Sequence, residues 1–327
     1  MIRTRNILLA GCALAVAACS TTPEDHHERF QAVSHPPVML SHLHALARSN
    51  NDLRRNSLVA MLKTHGLEPE LTEFPNSFPD RGDPRGSGTN ISFTVGEGEK
   101  EIIVGAHYDA ARLADGSISE GMVDNGASVI ALIHVADELR QHRETNHKVR
   151  FVFFDMEEIG LVGSRHFAQS LDPEKVVAMI NLDVNAYGET VFYGATQHGH
   201  APLYDAMRAA CRDLERECVD FPDYPPSDYL SFEEVAIPNV SLSVLPRSEA
   251  YELWLAMNAG ATTRFADDFV PGVFRRIHSD GDTFETVQPA AIVAVCDVVL
   301  GLLHHLNHVE FPPREPDPEI PMREPVP

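Results

Sequence analysis

The sequence predicts an α/β fold in which a mixed, mostly parallel central β-sheet is sandwiched between helices. Three observations predict it. Short apolar runs alternate with helical patterns along the 327 residues. Several of those runs are apolar on both faces, as in central strands covered on two sides. No internal repeat interrupts the alternation. In chain order, Asp52–His65 reads as a helix, Ile91–Val95 and Glu101–Ala106 as strands, and Asn125–His142 as a helix. Val149–Phe154 follows as a strand, Leu161–Ser170 as a helix, and Val176–Leu182 and Thr190–Tyr193 as strands. Pro202–Arg216 is then a helix and Ile237–Val244 a strand. The last helix, Pro289–Leu306, has proline in its first turn and Ile292, Val295, Cys296, Val299, Leu303 and Leu306 at helical spacing. Pro75–Gly88, rich in proline and glycine, reads as a surface loop.

Composition narrows the class. Hydrophobic residues are 43% and charged residues 23%, which excludes wholesale disorder and a polytopic membrane protein. Asp and Glu number 48 against 26 Lys and Arg, a net charge of -22 that repels phosphate backbones, so nucleic acid is excluded as a partner. The sequence names no protein partner.

The ends read as targeting and tail. Arg3 and Arg5 precede the apolar run Ile7–Ala18, shorter than the ~20 residues of a spanning helix, so residues 1–18 read as a secretory signal. Val16, Ala17 and Ala18 before Cys19 resemble the lipobox of bacterial lipoproteins. That resemblance implies lipidation at Cys19, a membrane contact through the lipid, and a place in the bacterial cell envelope, on the outer membrane facing the periplasm or the surface. Residues 19–37 read as a tether, 38–309 as a single main domain with an insertion near 246–276, and 310–327 as an extended tail of seven prolines and five acidic residues. Of the other cysteines, Cys211, Cys218 and Cys296 allow at most one internal disulfide. Joining Cys211 to Cys218 requires the helix to end between them, since seven residues of helix span about 10 Å.

Five polar clusters sit at the ends of these elements. His107 and Asp109 follow a strand, where positions i and i+2 share a face, so Asp109 can hold the His107 ring. Asp124 and Asn125 precede a helix. Asp155, Glu157 and Glu158 follow the strand Val149–Phe154, and three carboxylates there call for a cation or for full exposure. Asp183 ends another strand, and His278 with Asp280 and Asp282 lies before the last helix. In open α/β sheets ligands bind beyond the carboxyl ends of strands, where several of these clusters lie. Histidine and carboxylate donors without cysteine suit a hydrolytic zinc site, and a shared aspartate can hold two ions ~3.5–4 Å apart.

The order H-x-D, D-N, E-E, D, H from about Asn90 to Thr283 resembles the di-zinc aminopeptidases of the bacterial leucyl aminopeptidase type. The motifs are Gly105-Ala106-His107-Tyr108-Asp109, Val123-Asp124-Asn125-Gly126, Met156-Glu157-Glu158, Asn181-Leu182-Asp183, Ser227-Asp228, and His278 with Asp282-Thr283. The resemblance implies a zinc exopeptidase fold of the phosphorylase/hydrolase-like kind, with a single catalytic domain. It makes His107 and Asp183 ligands of one zinc ion, Glu158 and His278 ligands of a second, and Asp124 the bridge. It makes Glu157 the general base toward a bridging hydroxide, Asp109 the partner of His107, and Asp228 a polar wall. It implies a cis peptide between Asp124 and Asn125 and a peptide substrate with a free N-terminus. Two Zn ions at +4 balance Asp124, Glu157, Glu158 and Asp183.

Some positions depart from the family pattern. Tyr229 follows Asp228 where relatives often carry histidine, and Ile277 precedes His278. Tyr224, Tyr229 and Arg276 are the candidates for the oxyanion side chain. Trp254, the only tryptophan, lies in the 246–276 segment and is a candidate pocket residue, and Arg275 and Arg276 are candidates to grip a substrate carboxylate. The rival readings are a glutaminyl-peptide cyclotransferase, a carboxypeptidase or dipeptidase of the same fold, and a non-catalytic receptor-like domain. The short Ile159–Val162 link after Glu158 favours a peptidase over a cyclotransferase.

Overall fold

In the computed structural model the described residues are 36–142, 145–194, 201–259 and 269–307. The signal, Cys19, the tether up to residue 35 and the 310–327 tail lie outside them. The strands are β1 (Glu70–Pro75), β2 (Ser87–Val95), β3 (Glu101–His107), β4 (Lys148–Phe154), β5 (Val176–Leu182), β6 (Thr190–Gly194), β7 (Cys218–Phe221) and β8 (Asn239–Leu245). They form one sheet in the order β1-β2-β4-β3-β5-β8-β6-β7. The pairs β4–β3, β3–β5, β5–β8 and β6–β7 are parallel, and β1–β2, β2–β4 and β8–β6 are antiparallel. Every residue of β3, β5 and β8 is buried, as the two-faced apolar runs require.

The helices are α1 (Pro36–Leu46), α2 (Asn51–Thr64), α3 (Ala127–His142), α4 (Val162–Gln169), α5 (Ala201–Asp213), α6 (Tyr229–Glu233), α7 (Arg247–Asn258) and α8 (Pro289–Leu306). Among them α8 packs on α3 and α5, and α1 touches α3 and α8, while α4 and α6 form a separate pair over β2, β5 and β8. α8 is apolar and long enough to cross a membrane by length and composition, yet 72% of it is buried inside the domain. It is the core helix of the sheet's covering layer.

Two strands and three helices lack a sequence signal. β1 is an edge strand with only Phe74 buried, and β7 has four residues, so neither shows an apolar run. α1 begins at Pro36, two residues inside the segment read as tether. α6 and α7 fall in the segments around Asp228 and after Pro246. The helix expected from Asn125 starts at Ala127, because Asp124 and Asn125 have non-helical backbone angles within the turn Met122–Gly126. α5 ends at Asp213, before Cys218, and Cys211 and Cys218 form a disulfide with Cα atoms 6.2 Å apart. Cys296 is a buried free thiol.

A buried arginine organises the loop after β3. Arg54 of α2 is fully buried and donates to three carbonyls: Nε to Tyr108 (2.8 Å), Nη1 to Glu120 (2.5 Å) and Nη2 to Gly121 (3.1 Å). Gly121 itself has φ 58, and a Cβ there would meet the Ala110 Cβ at 2.6 Å, so glycine is needed where the chain turns toward Asp124. Arg54→Met removes all the donors and leaves buried carbonyls unpaired. We expect it to lower the unfolding free energy by ~3 kcal/mol or more, which urea titration followed by circular dichroism measures; a change below ~1 kcal/mol would contradict this role.

Candidate metal centre

Strand register brings the first side chains level. His107 pairs with Phe154 across β3 and β4, so residues 155–158 continue directly beyond it, and Gly105 pairs with Asn181 across β3 and β5, which sets Asp183 beside His107. The turn Met122–Gly126 supplies Asp124, and the loop before α8 supplies His278. His107 Nε2 lies 3.0 Å from Asp124 Oδ1 and 3.6 Å from Asp183 Oδ1. His278 Nε2 lies 3.1 Å from Asp124 Oδ2 and 3.0 Å from Glu158 Oε2. His107, Asp124 and Asp183 form one cluster and Asp124, Glu158 and His278 a second, each with ligand atoms within 4.8 Å of one another. The two clusters share Asp124, one oxygen to each side.

The donor chemistry fits divalent cations. His107 Nε2, Asp183 Oδ1 and Glu158 Oε1 are buried and have no hydrogen-bond partner among the described residues. Such lone pairs cost free energy unless a proton or a cation meets them. The surrounding groups hold the ligands in place. Asp109 accepts from the Glu157 amide at Oδ1 (3.1 Å) and the Glu158 amide at Oδ2 (3.3 Å), and the same Oδ1 lies 3.5 Å from His107 Nδ1. Asp282 accepts from the amides of Met122 (2.8 Å), Val123 (2.6 Å) and Asp124 (3.1 Å). Asn125 donates to the Leu182 carbonyl (2.8 Å) and accepts from the Val184 amide (3.2 Å), stitching the Asp124 turn to the end of β5. The Asp124–Asn125 peptide is cis. Met156, Val184 and His278 adopt φ of 61, 57 and 54, a left-handed conformation unfavourable for side chains, and each belongs to one of the two clusters or lies within two residues of a member.

The charges are strongly perturbed. Burial, opposed by His107 and reinforced by Asp228, Glu158 and Asp183, pushes Glu157 well above the usual carboxylate range. Burial and then the Asp124 charge raise Glu158 to about 7. Contacts with Asp124 and Glu158 raise His278 to about 11 against the cost of burial. Burial disfavours a charge on His107, but Glu157 and the adjacent carboxylates of Asp109, Asp124 and Asp183 outweigh it and raise its pKa well above normal. Burial likewise disfavours the Asp124 carboxylate, and the two imidazoles overcome that and hold its pKa below the usual range. Asp155, the third acid of its cluster, is settled separately: its carboxylate takes the Arg85 guanidinium at 2.8 and 2.9 Å.

Two cavities border the cluster. One of about 150 Å³ is lined by Glu157, Asp124, Asp183 and His278 together with apolar side chains including Phe192, Leu245, Leu253 and Val273. A second of about 370 Å³ is bordered by Asp109, Glu158 and His278. Of the other sequence-named residues, Tyr224 and Ile277 also line the smaller cavity, whereas Asp228, Tyr229, Trp254, Arg275 and Arg276 line neither. Asp228 is fully buried, neither carboxylate oxygen has a hydrogen-bond partner among the described residues, and burial raises it to about 7. Tyr229 donates to the Tyr224 carbonyl (3.0 Å), and Trp254 Nε1 to the Asp220 carbonyl (3.2 Å). Arg276 stacks on Tyr187 at 4.6 Å, and Arg275 donates to the Val270 carbonyl (2.7 Å). Arg54 and the Asn125 side-chain bridge gave no sequence signal, while Asp282 was visible only as a member of the His278 cluster.

The model of peptidase family M28 matches residues 90–303 of this chain. The chain belongs to that family. A probable leucine aminopeptidase of Trichophyton verrucosum is 26% identical over 228 residues, covering 64% of this chain and 55% of that protein. Among solved structures, a zinc aminopeptidase from Bacillus subtilis has the same fold with TM-score 0.54 and 18% identity, covering 67% of this chain and 50% of that one. Porphyromonas gingivalis glutaminyl cyclase is similar with TM-score 0.63 and 19% identity, over 85% of this chain and 99% of that one. The chain thus spans about half the length of the aminopeptidases it matches, and all five residues of the two clusters fall within residues 90–303.

The raised groups set a pH dependence. Glu158 titrates at about 7 in the fold against an ordinary 4.5, and His278 at about 11 against 6.5. Both therefore bind more protons folded than unfolded, Glu158 between its two values and His278 between its own, so the metal-free M28 domain loses stability as pH rises from about 5 to 9. A cation replaces those protons, so stabilisation by added zinc grows over the same range. Melting of chelator-stripped protein with and without zinc at about pH 5.5 and 8 should show a falling stripped Tm and a widening zinc increment. Equal increments at both pH values would contradict the assignment.

Proposed function

We propose that the chain is a zinc-dependent aminopeptidase that removes N-terminal residues from peptides, with two zinc ions bridged by Asp124 and Glu157 as general base. The observation that carries this reading is the placement of Glu157 on the wall of a small apolar cavity that is also bordered by both ligand clusters. His107 and Asp183 would hold one ion, Glu158 and His278 the other. Bound zinc supplies Lewis-acid polarisation of the scissile carbonyl and lowers the pKa of water to about 7.

The chain's own groups do the rest. Glu157 takes the proton of the attacking water and returns it to the leaving amine, with Asp109 fixing its backbone through the amide of residue 157. The carboxylates near the cavity give a free α-ammonium group a complementary field, which an acylated N-terminus lacks. Phe192, Leu245, Leu253 and Val273 make the cavity fit one apolar side chain, and about 150 Å³ limits its size. The likeness to a probable leucine aminopeptidase and to a zinc aminopeptidase supports the same reading.

The cyclotransferase alternative has one observation behind it, the similarity that spans 99% of a glutaminyl cyclase. The intact pair of clusters and the short Ile159–Val162 link speak for the peptidase. A Gln-Leu peptide separates them: release of free glutamine supports hydrolysis, and accumulation of a pyroglutamyl peptide without cleavage supports cyclisation.

Two variants test the roles. Glu157→Gln should retain zinc, measured by elemental analysis, and lose about 10²–10⁴-fold in kcat on leucine anilides; near-normal turnover would overturn the base assignment. Leu253→Trp should fill the apolar cavity and cut kcat/KM for leucyl substrates about tenfold or more relative to alanyl ones. An unchanged leucine-to-alanine ratio would remove this cavity from substrate recognition.

A further inference from the structure

The larger cavity, on the Glu158 and His278 border, differs in character from the apolar one. Its wall carries Arg81 and Arg112, and its volume is about 370 Å³. Arg112 donates Nε to the Gly82 carbonyl (2.5 Å) and Nη1 to the Gly116 carbonyl (2.5 Å). Arg81 lies over the Phe78 ring at 4.1 Å and donates Nη1 to the Ile159 carbonyl (3.5 Å). These contacts fix both guanidinium groups without neutralising them, and among the described residues neither makes an ion pair with a carboxylate. The acids bordering the same space are engaged elsewhere. Asp83 accepts from Arg85 at both oxygens (3.1 and 2.6 Å), Asp109 holds the amides of Glu157 and Glu158, and Glu158 belongs to a ligand cluster. The acids of this groove outnumber its arginines, but they are already engaged, and the two guanidinium groups keep N–H donors for an incoming anion.

His278 borders both cavities, so a substrate whose first side chain fills the apolar pocket passes its leaving portion toward the arginine groove. The interior of a peptide is neutral there. Its C-terminal carboxylate is an anion, and guanidinium groups with free N–H donors match it in charge and geometry. We infer that Arg81 and Arg112 bind the free C-terminal carboxylate of the leaving fragment, so that the enzyme favours short peptides over long chains. This rests on the aminopeptidase reading and deepens it. It moves carboxylate recognition away from Arg275 and Arg276, which line neither cavity.

The test compares Leu-Gly, Leu-Gly-Gly and Leu-Gly-Gly-Gly with their C-terminal amides, using the zinc-loaded full chain. For at least one length the free acid should exceed the amide in kcat/KM by about tenfold or more, through KM, and added salt should narrow that gap. Arg112→Gln and Arg81→Gln should bring the acid-to-amide ratio toward one with zinc content unchanged, and Arg112→Lys should restore part of it. Equal rates for acid and amide at every length, or a wild-type ratio in both Gln variants, would overturn the inference. So would a salt-independent ratio, which guards against a variant that merely loosens the loop. Failure to cleave any N-terminally free peptide would instead remove the aminopeptidase reading on which the groove assignment stands.

Discussion

The structure depends on one carboxylate. Asp124 presents one oxygen to His107 and the other to His278, so it joins two clusters of potential metal-binding side chains drawn from distant parts of the chain. Nothing about an isolated aspartate requires this. Its backbone amide and the two before it are captured by Asp282, and the next residue, Asn125, is bonded on both sides of Asp183. The bridge is therefore held from the loop before α8 and from the end of β5 at once. A displacement of either would pull the two clusters apart.

The sheet makes that convergence inexpensive. β4, β3 and β5 run parallel, so residues 155–158, His107 and Asp183 leave the sheet at the same edge without further arrangement. The antiparallel strands and the helices contribute support rather than ligands. Arg54 reaches from α2 to three carbonyls of the loop after β3, and α8 fills the space against α3 and α5. Polar work is concentrated at the strand ends, while the fully buried strands behind them are mostly apolar, with Asn181 of β5 bonded to Ser241 of β8 within the layer.

Much of this was legible in the sequence. The central strands show as apolar runs because both of their faces are buried, and the ligands show because histidines and acids follow those runs at fixed offsets. β1 and β7 did not show: an exposed edge strand and a four-residue strand carry no burial signal. The turn at Asp124 reads as the start of a helix, since a helix does begin three residues later and sequence cannot reveal the non-helical angles at 124 and 125. Three acids at 155–158 call for a cation or full exposure, but the local pattern does not reveal that buried Asp155 takes its own cation, the Arg85 guanidinium 70 residues away. Pocket walls were the least legible part. Phe192, Leu253 and Val273 come from three different segments, and only tertiary packing sets them around Glu157; of the residues that stood out by type, Tyr224 lines the same cavity, whereas Trp254 and Arg276 lie elsewhere.

The central claim is that Asp124 bridges two ions. Anomalous diffraction at the zinc edge from crystals grown with zinc, together with elemental analysis of the same protein, tests it most directly. The account predicts two peaks about 3.5–4 Å apart on either side of the Asp124 carboxylate, with close to two zinc per chain. A single peak that leaves His107 and Asp183 without a metal, or zinc at sites remote from Asp124, would contradict it.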